Sequence, residues 1–193
     1  MRQIIAVSFL FLALAVQAQK PINVTISGNI FNLKTDTVIL AQYTQNGYID
    51  YLKAPISKKG DFTLKGKLPA KDYYVLRVSK NEHLNLILRE DANLKIYGDG
   101  RNINAYNNIM GSDESSHMNA FVNELRAYNQ KKDSATAYLQ QFPDQQEAVN
   151  QSFSPIYYEF NNYKQKFIAD NNNSPALLPV ISTVDANAEF PVY

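Results

Sequence analysis

The chain has 193 residues, of which 45% are hydrophobic, 12% aromatic and 19% charged. Its 19 Lys and Arg against 18 Asp and Glu form no basic stripe, which argues against nucleic acid or an anionic membrane surface as a partner. No cysteine is present, so disulfides, thiol nucleophiles, CxxC redox pairs and cysteine metal sites are excluded together.

Arg2 supplies a short positive start, and residues 4–16 are apolar apart from Ser8. Val16-Gln17-Ala18 then offers small residues at a cleavage site. This reads as a secretory signal peptide over residues 1–18, because the apolar core is too short to span a bilayer. The mature chain is expected to begin at Gln19 and to reach the periplasm. It is not expected to be a lipoprotein, because no cysteine follows the site. No membrane insertion is expected after cleavage.

Residues 22–97 alternate with period two. Ile22, Val24 and Ile26 share one strand face, and Thr25 and Ser27 share the other. Gly28 reads as a bend at a strand edge. Residues 37–41 predict a central strand, and residues 48–56 an edge strand ending at Pro55. Lys58 to Asp61 are turn residues, with Phe62 and Leu64 on the return strand. Residues 73–78 and 84–88 are further strands, and Leu94 and Ile96 begin the last. About seven strands joined by short turns predict an antiparallel sandwich or open barrel over residues 19–112. The absence of crossover helices excludes a doubly wound sheet. Residues 99–116 read as a loop.

From His117 the spacing becomes helical, and residues 113–188 read as a helical subdomain. Met118, Phe121, Val122, Leu125 and Tyr128 share one face of a helix running to about Lys131. Asp133 or Ser134 is placed as the cap of a second, short helix ending at Phe142. Val149, Phe153, Ile156, Phe160, Tyr163 and Phe167 form a third helix's apolar seam. Pro155 lies inside that seam. The reading favours one long kinked helix over a helix starting at Ser154. Burial of so large a seam is expected, against the first helix and part of the β domain. Ser174 and Pro175 cap a final helix containing Leu177, Leu178 and Ile181. Phe190-Pro191-Val192 is apolar and extended, so residues 189–193 read as the start of a linker. Most of the 13 tyrosines are expected at core positions.

No catalytic, cofactor or metal site is legible. His83 and His117 lack the spacing of a zinc or iron site. Ser115-Ser116-His117 has no nucleophile elbow, and chain neighbours do not form a relay. Asp113 and Glu114 suit a helix dipole better than an acid/base pair. Glu90, Asp91 and Glu159 read as solvated or capping carboxylates. Asn23-Val24-Thr25 is a glycosylation sequon set in a strand.

The pattern as a whole resembles a known family. Ile26-Ser27-Gly28-Asn29-Ile30, Gly60-Asp61-Phe62-Thr63-Leu64, Tyr73-Tyr74-Val75-Leu76-Arg77 and Asn93-Leu94-Lys95-Ile96 carry the resemblance. Ile109-Met110-Gly111-Ser112 and Asn173-Ser174-Pro175-Ala176-Leu177-Leu178 continue it. Together they are similar to the N-terminal accessory region, domain of unknown function 4369, of exported TlpA/ResA-like thiol-disulfide oxidoreductases of Bacteroidetes. The resemblance implies a β-rich domain, a helical segment and then a thioredoxin domain with a CxxC pair. The chain stops where that last domain would begin, as expected of a fragment, a truncated gene product, a stand-alone relative or a descendant that has lost its redox half. The implied role is non-catalytic: recognition of a thioredoxin-like partner, or homodimerisation. The alternative is an exported ligand-binding protein, glycan-related in one form, or a structural protein of the cell envelope.

Overall fold

The computed structural model describes residues 20–184. The signal peptide and linker readings, at residues 1–18 and 189–193, lie outside the described residues. The strands are β1 (Ile22–Phe31), β2 (Thr37–Thr44), β3 (Gly47–Pro55), β4 (Asp61–Leu68), β5 (Asp72–Arg77), β6 (His83–Leu88), β7 (Ala92–Asp99) and β8 (Asn107–Met110). The helical part holds α1 (Asp113–Gln141) and α2 (Gln146–Asp170). Two 3-10 helices, Pro143–Gln145 and Pro175–Thr183, follow α1 and α2 respectively.

The fold is α+β, with an N-terminal β-sandwich. Sheet A has the order β4-β1-β7-β8, and sheet B the order β3-β2-β5-β6. Inward residues of both sheets interleave in one core, including Ile26, Leu40, Leu64, Leu76, Leu86 and Ile96. β2 is central in its sheet and β3 is an edge, as the apolar run and Pro55 predict.

Two features depart from the predicted antiparallel set of about seven strands. The described residues form eight strands, and β1 pairs in parallel with β7. The chain visits sheet B twice before β7 returns beside β1. Alternating residues reveal which face is buried, not which strand lies alongside or in which direction. β8 occupies part of the predicted loop, but only Ile109 of its four residues is buried, too little for a period to show. Gly28 is not at an edge. It lies between β4 and β7, where a Cβ would stand 1.7 Å from the Ile96 carbonyl oxygen.

α1 begins earlier than the sequence spacing suggests. Ser112 caps it by accepting the Ser115 N–H, and Asp113 and Glu114 fill the first turn, where carboxylates favour the helix dipole. Ser115 and Asn119 are buried one turn apart, facing the edge of β6. Ser115 Oγ accepts the Ile87 N–H at 2.9 Å. The Asn119 amide pairs with Asn85 in both directions: Oδ1 accepts its N–H at 3.1 Å, and Nδ2 donates to its carbonyl at 2.6 Å. Helix side chains thus stand in for a missing strand, and the sheet edge is closed to other chains.

α1 also runs through the predicted break at Asp133. Ser134 Oγ donates to the Gln130 carbonyl and Thr136 Oγ1 to the Lys132 carbonyl, each four residues back. Ser134 is therefore a helix-interior residue, not a cap. α2 carries Pro155 inside it, as the favoured reading expects. The proline leaves the Gln151 carbonyl without its helical donor, but both residues are exposed, so water replaces that bond. Ser174 caps the last helix with Pro175 at its first turn, as predicted, but that helix is 3-10. The Tyr73 hydroxyl donates to the Pro175 carbonyl at 2.5 Å and ties this helix to β5.

Candidate functional site

α1 and α2 form an antiparallel hairpin rooted on sheet B. At about 1.5 Å per residue, the 29 residues of α1 span roughly 43 Å. Only its first turns are covered: Ser115, Met118, Asn119 and Phe121 are buried, and nothing further along is. In α2 the buried residues are Lys164 and Phe167, near the opposite end. The root is a second apolar cluster of Ile87, Met118, Phe121, Phe167, Ala176 and Val180.

The predicted seam faces α1 but is not buried along its length. Phe121 meets Phe160, Tyr163 and Phe167 at ring-centroid distances of 6.2, 6.0 and 4.7 Å. Tyr128 stacks on Phe160 at 4.4 Å and reaches Phe153 at 5.8 Å. Of the six seam residues, Phe167 alone is fully buried; Val149, Phe153, Ile156, Phe160 and Tyr163 are partly buried. Among the described residues, each helix covers one side of the seam, and the last 3-10 helix reaches one flank at Ser182 and Thr183.

Each flank is a cleft. One, of about 600 Å³, is lined by residues including Leu125, Tyr128, Lys132, Tyr157 and Phe160. The other, of about 300 Å³, includes Glu124, Lys131, Ile156, Glu159 and Tyr163. Burial raises the phenol pKa of Tyr128, helped by neighbouring Tyr157, and that of Tyr163, helped by Glu124. Both therefore remain neutral donors at neutral pH. Tyr157 and Tyr158 stand 49% and 62% exposed beside the seam, and Tyr138 and Phe142 47% and 46% exposed at the hairpin tip. The tyrosine expectation is corrected here: many of them are surface residues.

The polar candidates do not converge. His83 begins β6, where burial first and Arg126 second lower its pKa. His117 Nδ1 lies 2.8 Å from Asn171 Oδ1, at the far end of α2. Ser115 is fully buried against β6, away from any such relay. Glu114 takes a bidentate ion pair from Arg89, at 2.8 and 2.6 Å. Asp91 accepts from Asn23 Nδ2 in the turn before β7. Glu159 lines the smaller cleft, and Glu90 is exposed beside Asp91. Among the described residues no group of three His, Cys, Asp or Glu could hold a metal ion. Nor is any described helix long and apolar enough to cross a membrane.

Sequence reasoning missed the Asn119 and Ser115 contacts with β6, because polar residues one turn apart read as a solvated face. It also missed the openness of the seam, which depends on how many layers cover it. No curated protein matches the chain. Residues 24–118, from β1 into the second turn of α1, match the family model of a domain of unknown function, DUF4369.

Proposed function

We propose that this chain is a non-catalytic docking module, exported to the periplasm by its signal peptide. The observation that supports this most is the partly buried aromatic seam of the α1–α2 hairpin with exposed Tyr157 and Tyr158 beside it. Exposed aromatic side chains clustered in this way favour an interaction site. The resemblance to TlpA/ResA-like oxidoreductases of Bacteroidetes supplies one partner class, a thioredoxin-fold domain. A second copy is the other occupant the geometry favours, because two hairpins packed seam to seam complete a four-helix bundle. The module itself has no thiol for the thiolate attack that disulfide exchange requires.

Sedimentation equilibrium of the mature chain, alone and with a purified thioredoxin-fold protein of the same genome, tests the reading. A dimer or a complex is expected. Replacing exposed Tyr157 and Tyr158 together by Ser should weaken it without unfolding the chain. A monomer that binds no thioredoxin-fold protein overturns the docking role. Mass spectrometry of the cell-purified protein should find Gln19 at the N-terminus. An intact Met1 or an attached lipid refutes the export route.

A further inference from the structure

The two flanks of the α1–α2 hairpin differ in charge. The smaller cleft carries Glu124 and Glu159 against Lys131. The larger cleft, of about 600 Å³, carries Lys132 and Lys164 and has no carboxylate in its lining. Its apolar lining is Leu125, Tyr128, Tyr157 and Phe160. Tyr157 is exposed there, and the other three are only partly buried.

The chain itself arrives at this cleft. Ala176 and Val180 hold the 3-10 helix Pro175–Thr183 in the root cluster, and Ser182 and Thr183, at its end, line the larger cleft. Val184 leaves the helix in an extended conformation, with φ −82° and ψ 122°. Residues 185–193 follow, outside the described part. Their composition matches the larger flank. Asp185 and Glu189 are acidic, no Lys or Arg is among them, and Phe190, Pro191, Val192 and Tyr193 are apolar in succession. In an extended segment Phe190 and Val192 share a side, and Pro191 biases Phe190 toward that conformation. The stretch from Val184 to Glu189 spans up to about 20 Å when extended. The cleft lining on α1 runs from Leu125 to Lys132, a rise of roughly 10 Å. Phe190 can therefore reach its far end.

We propose that residues 185–193 fold back into the larger cleft, with Phe190 and Val192 against Tyr128 and Phe160 and with Glu189 beside Lys132. The tether selects this occupant over a second copy. A segment joined beside the cleft is present at an effective concentration of about millimolar, far above that of a separate protein molecule. Charge selects the flank, because the same segment at the smaller cleft would meet Glu124 and Glu159. The contact is intramolecular, so it holds whether or not the smaller flank and Tyr158 engage a partner.

The chain contains no tryptophan, so Phe190→Trp places a single reporter in the mature chain. Acrylamide should quench it about threefold less than the same residue in a free peptide of residues 185–193, and this protection should not change on dilution. Lys132→Glu should shift the docking equilibrium toward the open form by about threefold or more, through repulsion of Glu189. Lys131→Glu, one residue away but on the other flank, should leave it unchanged. Circular dichroism confirms that the variants fold. Quenching equal to that of the free peptide overturns the proposal. Equal responses to the two lysine variants place the segment elsewhere and overturn it too. Protection lost on dilution assigns the cleft to a second copy instead.

Discussion

Replacing Asn119 by Leu isolates the contact by which α1 closes sheet B. Leu has the same branching and number of side-chain heavy atoms, so no cavity opens; its bulkier methyls add some overpacking to the lost hydrogen bonds. The Asn119 side chain is buried, and its amide serves both the N–H and the carbonyl of Asn85. Its third bond, to the Ser115 carbonyl at 2.7 Å, duplicates one that the helix already supplies. Two edge groups therefore lose their partners. Each orphaned buried group costs about 1–3 kcal/mol, so the variant should lose roughly 2–6 kcal/mol. Urea melts followed by circular dichroism read this directly. Exposed Asn162→Ala is the control and should stay within about 0.5 kcal/mol of the parent.

Asn119→Asp adds a signature that a general packing defect lacks. The carboxylate keeps the bond from the Asn85 N–H but faces two carbonyl oxygens, and it is buried. Both effects favour the protonated acid in the native state, so the native pKa rises above the unfolded value of about 3.9. Stability relative to the parent is then best below that value and falls as pH rises through the native pKa. Amide exchange at Asn85 should accelerate in both variants. A Leu variant as stable as Asn162→Ala, with Asn85 equally protected, would refute the reasoning and leave the β6 edge held by apolar packing alone.

Two other predictions concern the hairpin root and the acid limb. Phe121 is fully buried among three aromatic rings, so Phe121→Ala should cost about 3–5 kcal/mol, and partly buried Phe160→Ala roughly half as much; equal losses in urea melts would mean that the seam is covered along its length. Asp99 accepts from the Arg101 side chain, the Arg101 N–H and Asn32, which hold its carboxyl at about 2. Its stabilising effect should be complete above the unfolded value near about 4 and lost as pH falls toward the native value. Asp99→Asn should flatten the stability curve across that window, and an unchanged acid titration would show that the Arg101 pair contributes nothing.

What the sequence determined by itself are the faces. Alternation over residues 22–97 marks the inward side of each strand, because a pleated strand has no other way to bury one face. The four- and three-residue steps from Val149 to Phe167 mark the inward side of α2 for the same geometric reason. The Ser174-Pro175 cap is legible because it is local: one hydroxyl, one N–H and a fixed proline φ. Missing cysteine decides thiol chemistry outright.

Partners and layers were decided by the tertiary structure. The parallel pairing of β1 with β7 depends on where the chain re-enters sheet A, and no residue pattern encodes that return. Asn119 reads as a solvated helix residue until β6 is placed beside it, where it becomes a strand's substitute. The seam looks like a core stripe in sequence, but burial is set by the number of elements around it, and the hairpin supplies two. Lys65 and Lys95, thirty positions apart in sequence, share the outer face of sheet A because β4 and β7 flank the same strand.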